Sequence, residues 1–114
     1  MAWLKVATLG EIGDGAFGVK VDDVHLALYN LSGEIYATHG ICTHALALLC
    51  EGWIDDGKIE CPLHQGMFDI RTGKALCAPV TEDIRTYAVR VAGDEVFVDL
   101  DQPAATASAA SGTT

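Results

Sequence analysis

The fold of this chain is decided by residues 42–64, which read CTHALALLCEGWIDDGKIECPLH. Two pairs of metal-binding side chains stand at its ends, Cys42 with His44 and Cys61 with His64. Each pair combines one thiol with one imidazole, and one or two intervening residues let both side chains reach the tip of a single loop. The stretch therefore predicts two loops that face each other across one metal centre.

Two thiolates and two imidazoles in this order match a cluster of two irons and two sulfides, in which cysteines hold one iron and histidines the other. We expect one [2Fe–2S] cluster per chain, with Cys42 and Cys61 on an inner iron that stays ferric and His44 and His64 on the outer iron. Neutral imidazoles leave less negative charge on the outer iron than thiolates would, so that iron accepts the electron. The ligand set predicts an electron carrier.

A structural zinc-binding interaction module is the main alternative, because two cysteines and two histidines also satisfy tetrahedral zinc. Structural zinc loops, however, usually pair like residues, whereas each pair here is mixed. A small oxygenase would need a second, mononuclear iron site in a separate domain, and 114 residues leave room for one domain. The mixed pairs favour the cluster, and we expect no enzyme activity.

The formal net charge is −9, from 16 acidic and 7 basic side chains. Such a surface repels nucleic-acid phosphates, so we expect no nucleic-acid partner, and it favours proteins with basic docking patches. No uninterrupted apolar run approaches the roughly 18 to 20 residues of a membrane span, and residues 1–10 lack the pattern of a secretion signal. We expect a protein that does not bind a membrane and that works in the cytoplasm.

Alternating apolar and polar residues predict short strands along most of the chain, with little sign of helices. Ser32-Gly33, Asp56-Gly57 and Gly93-Asp94 each separate two such segments, and these pairs predict tight hairpin turns. Short strands at this spacing indicate an all-β fold, an antiparallel sandwich or small barrel.

Residues 13–18 match the G-x-G-x-x-G pattern of dinucleotide-binding folds. That pattern has meaning where a strand enters it and a helix leaves it, since the helix N-terminus binds the pyrophosphate. Strand-like residues follow here, from Val19 to Asp22. We therefore interpret the glycines as a turn that joins two strands, and expect no nucleotide cofactor.

The flanks of the two pairs resemble a known family. Residues 42–44 (CTH), 61–69 (CPLHQGMFD) and 72–80 (TGKALCAPV) are similar to the Rieske-type ferredoxins of bacterial aromatic-ring-hydroxylating dioxygenase systems, and to the naphthalene dioxygenase group above all. The resemblance runs from about Trp3 to Leu100. It implies a Rieske fold, antiparallel sheets with a cluster-binding subdomain inserted between two strands.

In this chain the resemblance implies a Rieske domain over residues 1–101 with the cluster-binding subdomain at about 39–79. A loop at Pro79 would shield the cluster from solvent. Residues 102–114 are almost all Pro, Ala, Ser, Thr and Gly, a composition typical of a disordered tail.

The resemblance implies one-electron transfer by a monomer. The electron would come from a flavin-containing ferredoxin reductase fed by NADH or NADPH and pass to a terminal oxygenase with its own Rieske centre. A Rieske ferredoxin serving another oxidoreductase remains an alternative.

Four positions indicate which branch of the family the chain resembles. Respiratory Rieske proteins carry an additional disulfide-bonded cysteine on each loop, where this chain has Ala47 and Leu63. They also carry serine and tyrosine hydroxyls that donate to the cluster, where this chain has Gly66 and Phe68. Missing donors leave more negative charge on the sulfurs, which disfavours reduction. We expect a potential near the low end of the Rieske range, about −150 mV.

The apolar run at residues 45–49 departs from the family, which usually has glycine at the position of Ala45. Core packing or a short helix explains such a run, and an exposed docking patch is the alternative. Cys50 and Cys77 are expected to be free, partly buried thiols. His25 and His39 are interpreted as strand and loop residues and not as ligands.

Overall fold

A computed structural model describes residues 3–42, 47–62, 66–77 and 82–102. Within these ranges the chain forms ten strands, one short α-helix and one 3₁₀ turn. In chain order the elements are β1 (Leu4–Thr8), α1 (Leu9–Ile12), β2 (Ala16–Val21), β3 (Val24–Leu31), β4 (Glu34–His39), the 3₁₀ turn (Leu49–Glu51), β5 (Trp53–Asp55), β6 (Lys58–Glu60), β7 (Met67–Asp69), β8 (Ala75–Cys77), β9 (Thr86–Ala92) and β10 (Glu95–Asp99). The expectation of an all-β fold is confirmed.

Six strands form the larger sheet, in the order β1-β10-β9-β4-β3-β2, with every neighbouring pair antiparallel. The two edge strands, β1 and β2, contact each other, so that the sheet is nearly closed into a barrel. Strands β4 and β9 are neighbours in space, with Ala37 opposite Tyr87, although residues 40–85 lie between them in the chain. The sheet is therefore complete without the segment that joins these two strands.

That segment forms a second, smaller sheet in the order β5-β6-β7-β8, again antiparallel. Its strands have three residues each. Short strands of this kind need a neighbouring core, because a small isolated sheet buries too little apolar surface to be stable. The smaller sheet obtains that core from the larger one.

Strand β3 provides the shared core because both of its faces are buried. Leu26 and Leu28 pack inside the larger sheet, where they meet Val96 and Val98 of β10. Ala27 and Tyr29 point the other way and pack against the smaller sheet, in a cluster that includes Ile59, Phe68 and Ile70. A strand buried on both faces carries a continuous apolar run in place of alternation, as residues 26–29 do.

Tight turns join most neighbouring strands. Ser32-Gly33 and Asp56-Gly57 have positive φ at both residues, the conformation of a type I′ turn, whose twist matches that of the strands it joins. Both hairpins were predicted, as was the turn at Gly93-Asp94, and all three are confirmed. A further turn at Asp22-Asp23, with φ of 50° and 64°, joins β2 to β3 and was not predicted.

Helix α1 corrects the interpretation of the glycine-rich segment. The Thr8 hydroxyl accepts a hydrogen bond from the Glu11 N–H, and the Glu11 carboxylate accepts one from the Thr8 N–H, which together form a capping box. Gly13, with φ of +64°, ends the helix. The glycines therefore connect a helical turn to β2 and not one strand to another, although the strand predicted to follow them is present. In the described ranges, no helix is long and apolar enough to cross a membrane.

Candidate metal centre

The two cysteines of the predicted ligand set lie at the bases of two loops that are closed in the same way. The Cys42 N–H donates to the Ala47 carbonyl at 3.0 Å, and the Cys61 N–H donates to the Gly66 carbonyl at 2.8 Å. In both loops the accepting carbonyl therefore lies five residues after the cysteine. The histidines of the two pairs fall inside these loops, and they lie outside the described residues.

The surrounding strands fix both loop bases. The first loop follows β4, and a further bond from the Leu49 N–H to the Gly40 carbonyl, at 2.8 Å, holds its two ends together. Ile41 and Leu48 form an isolated bridge beside it. The second loop joins β6 to β7, which pair directly. Each cysteine thus begins a short loop whose base is closed by backbone hydrogen bonds.

Both cysteines are buried in the apolar cluster that the two sheets share. Cys42 is 4% exposed and Cys61 is fully buried. A thiolate is unstable in such surroundings unless a cation lies against it, because an unpaired buried charge is costly. Two buried cysteines at matched loop bases therefore fit the inner iron of a [2Fe–2S] cluster, which takes two thiolates.

His44 and His64 were predicted as ligands of the outer iron, and both lie outside the described residues. No three His, Cys, Asp or Glu side chains gather into a metal site among the residues that the structure describes. Leu63 and the segment at residues 78–80, with the predicted shielding loop at Pro79, are also outside. The described residues therefore include the two predicted cysteine ligands and not the two predicted histidine ligands.

The second loop ends in residues without hydroxyl groups. Gly66 is buried, and its carbonyl is the acceptor for the Cys61 N–H. Phe68 is fully buried in the same cluster as the two cysteines. Ala47, at the end of the first loop, is 6% exposed and brings neither sulfur nor hydroxyl. These three positions therefore supply the centre with apolar packing and with backbone, and with no side-chain donor.

The apolar run at residues 45–49 was explained either by core packing or by an exposed docking patch, and its described residues differ in burial. Ala47 and Leu49 are buried in the shared core, and the 3₁₀ turn begins at Leu49, so packing explains these two residues. Leu48 is 37% exposed. Ala45 and Leu46 lie outside the described residues, so the docking explanation is untested for them.

The remaining cysteines and histidines lie at other places in the fold or outside the described residues. Cys50 is a free, half-buried thiol, as expected, and burial raises its pKa, with the neighbouring Glu51 carboxylate adding to the effect. The side chain of Cys77 lies outside the described part of the structure. His25 lies in β3 and His39 ends β4. Burial lowers the pKa of His39, and the positive charges of His25 and Arg85 lower it further.

Comparisons with known proteins agree with this geometry. Residues 2–88 match the family model of the Rieske [2Fe-2S] domain. The ferredoxin component of the naphthalene 1,2-dioxygenase system of Pseudomonas aeruginosa is 50% identical over 99 residues, which are 86% of this chain and 95% of that protein. The chain belongs to the Rieske [2Fe–2S] family.

Two solved structures place it more closely. The Sphingomonas yanoikuyae B1 ferredoxin superposes with a TM-score of 0.82 at 37% identity, over 86% of this chain and 98% of that one. A chain in the complex of reduced oxygenase and oxidized ferredoxin in carbazole 1,9a-dioxygenase gives 0.77 at 37% identity, over 84% and 91%. The protein is a Rieske ferredoxin with one [2Fe–2S] cluster, an electron carrier and not an enzyme. The zinc alternative is wrong.

Proposed function

We propose that this ferredoxin carries single electrons from an NAD(P)H-dependent flavin reductase to the Rieske centre of a terminal ring-hydroxylating oxygenase. The support comes from relatives whose names place them in dioxygenase systems, at up to about half identity over most of this chain. A similar ferredoxin has been found in a complex with its oxygenase. The bound cluster supplies reversible one-electron chemistry.

We also propose Cys42 and Cys61 as ligands of the inner iron and His44 and His64 as ligands of the outer iron. The observation that carries this assignment is the matched closure of the two loops, in which each cysteine donates its N–H to the carbonyl five residues later. In the sequence, His44 and His64 come two and three residues after these cysteines, within the spans that the two hydrogen bonds close. A partner protein would approach the cluster from the side of the histidine-bound iron.

The chain's own residues contribute burial and rigidity. The shared apolar core surrounds Cys42 and Cys61, and because an unpaired thiolate is costly there, each would be a thiolate only with iron bound. Paired strands hold both loop bases, so the ligands move little when the charge on the iron changes. A carrier that reorganises little transfers electrons faster in both directions than a flexible one.

We further propose a single domain over residues 1–101 with a cluster-binding subdomain at about 39–79. The smaller sheet, at residues 53–77, supports these bounds. Of the proposed tail at residues 102–114, only Gln102 lies within the described residues. A net charge of −9 supports a monomer without nucleic-acid partners, because like charges oppose self-association. We place the protein in the cytoplasm, where NADH and NADPH are available to the reductase.

The ligand assignment is tested by electron paramagnetic resonance of the dithionite-reduced protein. We expect a rhombic signal with a low average g value, which is the mark of mixed cysteine and histidine ligation. His64→Ala should abolish this signal, whereas His25→Ala, which removes a strand histidine, should preserve it. Retention of the signal in His64→Ala would contradict the assignment.

The partner assignment is tested by reconstitution. The reductase and the oxygenase from the same organism are mixed with the ferredoxin, NADH and an aromatic substrate, and the hydroxylated product is measured. We expect product only when all three proteins are present. The proposed function would be wrong if the reductase reduces the ferredoxin and the oxygenase does not reoxidise it.

A further inference from the structure

The smaller sheet has two faces of opposite character. On its inner face, Ile59 and Phe68 are fully buried and Ile54 packs beside them. Its outer face consists of two cross-strand rows. One row is Trp53, Glu60 and Met67, and the other is Asp55, Lys58 and Asp69.

Trp53 stands out on the outer face because it is 59% exposed, more than any other large apolar side chain in the described ranges. Its strand, β5, is an edge strand that pairs with β6 alone in the described sheets. An indole ring is among the side chains that contribute most when a protein interface buries them. An exposed tryptophan on a sheet edge is thus a candidate anchor for a partner.

Acidic residues are the neighbours of Trp53 in the sheet and along the chain. Glu60 lies directly opposite Trp53 across the strands, Asp55 follows two residues later on the same face, and the exposed Glu51 precedes it. The one cation on the outer face, Lys58, lies 3.9 Å from the exposed Asp56 carboxylate. The surroundings of the indole are therefore negative, and they suit a partner that presents arginine or lysine.

The position of the face suits electron transfer. Glu60 directly precedes Cys61, and Met67 directly follows Gly66, which accepts the hydrogen bond that closes the second loop. The row that begins at Trp53 therefore runs along the end of the sheet from which the second loop emerges. A protein bound there lies beside the loop that carries His64.

We propose that the outer face of the smaller sheet is a docking surface, at which an electron-transfer partner receives the Trp53 indole in an apolar pocket rimmed by arginine or lysine. The proposal rests on the proposed function. A second copy of this chain does not fit, because it would bring carboxylates against carboxylates. The acidic residues supply attraction during the encounter, and the indole supplies contact area once the partner is bound.

The first test replaces the indole. Trp53→Gln is compared with Trp3→Gln, a control that removes a 37% exposed tryptophan beside β1 of the larger sheet. We expect Trp53→Gln to lower the second-order rate constant of electron transfer with the reductase or the oxygenase by about tenfold, as loss of an interface anchor does. The rate at saturating partner and the midpoint potential should not change. The control should behave as wild type.

The second test removes charge and does not depend on the tryptophan variant being folded. Asp55→Asn with Glu60→Gln is compared with Asp22→Asn with Asp94→Asn, which makes the same change of net charge at two exposed turns of the larger sheet. We expect the wild-type rate to fall with ionic strength, and to fall less steeply in the docking-face variant than in the control. Visible circular dichroism confirms that each variant holds its cluster.

Wild-type rates and salt dependence with both partners in the Trp53 and Asp55/Glu60 variants would overturn the proposal. So would sedimentation showing a wild-type dimer that Trp53→Gln dissociates, because the occupant would then be a second copy. These results differ from a failure of the proposed function, in which the wild-type protein itself does not deliver electrons to the oxygenase.

Discussion

Phe68 and Gly66 are two residues next to the proposed cluster ligand Cys61 that bring no hydroxyl group to this part of the core. Both lie at the end of the second loop, where respiratory members of the Rieske family carry hydroxyl groups. Phe68 is fully buried in the apolar cluster with Cys42 and Cys61, and Gly66 uses its carbonyl to close the loop. These two side chains can therefore donate no hydrogen bond to the sulfurs of the cluster. Without such a bond, the sulfurs retain more negative charge.

Phe68→Tyr tests this argument. We expect a wild-type midpoint potential near −150 mV, the low end of the Rieske range. The tyrosine hydroxyl, placed in the same cluster, would donate to a sulfur and raise the potential. A redox titration followed by visible circular dichroism measures both values, with Phe97→Tyr on β10 as the control. A wild-type midpoint above zero would contradict the prediction, and so would an unchanged potential in a variant whose cluster is intact.

His39 gives a prediction about pH. Burial lowers its pKa in the folded protein, and the charges of His25 and Arg85 lower it further, so the unfolded chain binds a proton more readily than the folded one. His39 should therefore leave the free energy of unfolding unchanged above its unfolded pKa of about 6.5. The free energy of unfolding should decrease as the pH falls below about 6.5 and through the lower pKa that His39 has in the folded protein. His39→Gln should reduce this loss between pH 8 and pH 5. Urea unfolding monitored by fluorescence measures the free energy of unfolding at each pH. An equal loss in wild type and variant would contradict the prediction.

At the scale of elements, the turn between β7 and β8 connects the two sheets. The Ile84 N–H donates to the Gly73 carbonyl at 2.7 Å, which ties the turn to the chain that leads into β9. Next to it, Arg71 donates to the Tyr36 hydroxyl at 3.3 Å and lies 5.3 Å from the centre of that ring. The turn is therefore attached at two points, to Tyr36 of the larger sheet and to the segment that leads into β9.

Gly73→Ala should weaken this attachment. Gly73 has φ of +79°, and an added Cβ would lie 2.0 Å from the Ile84 carbonyl oxygen. We expect a loss of about 3 kcal/mol in the free energy of unfolding, from backbone strain together with displacement of the Ile84 segment. Gly93→Ala is the matched control, since Gly93 also has positive φ but open space at its Cβ, and should cost about 1 kcal/mol. Equal losses by urea unfolding would show that contact with Ile84 contributes nothing.

Local sequence was a good guide where local chemistry decides the structure. The hairpins at Ser32-Gly33 and Asp56-Gly57 were predictable, because the chain needs residues that tolerate positive φ at those points. Helix α1 was missed, although Thr8 and Glu11 at the spacing of a capping box would have revealed it. The docking of the β7–β8 turn on Ile84 could not be predicted, because it depends on contacts between segments that the sequence does not show to be neighbours.

The candidate site was predictable in a similar way. Ligand types and spacing predicted a [2Fe–2S] cluster, because the chemistry of a mixed-ligand cluster restricts both, and the family match confirms the cluster. The matched closure of the two loops was not predictable, since it uses backbone groups of Ala47 and Gly66 that carry no signal of their own. The two buried faces of β3 were also missed, because apolar residues at 26–29 indicate burial without saying which sheet covers which face.

For the molecule as a whole, the division into two cores matters most. One cluster fills the larger sheet and contains neither Cys42 nor Cys61, with Leu28, Val96 and Val98 among its members. The other lies between the sheets and contains both cysteines. The core of the larger sheet therefore does not depend on the proposed cysteine ligands, whereas the core of the smaller sheet includes them.

Removal of the cluster should for this reason loosen the molecule unevenly. If Cys42 and Cys61 bind iron as proposed, its removal breaks the bonds that join their loops, and the three-residue strands β6 and β7 pack on the core that contains these cysteines. We expect hydrogen–deuterium exchange of the chelator-treated protein to rise strongly in residues 53–77 and little in β9 and β10. The holoprotein, exposed to the same buffer without chelator, is the control. A uniform rise along the whole chain would show instead that the two cores unfold as one unit, and no rise would show that the smaller sheet does not need the cluster.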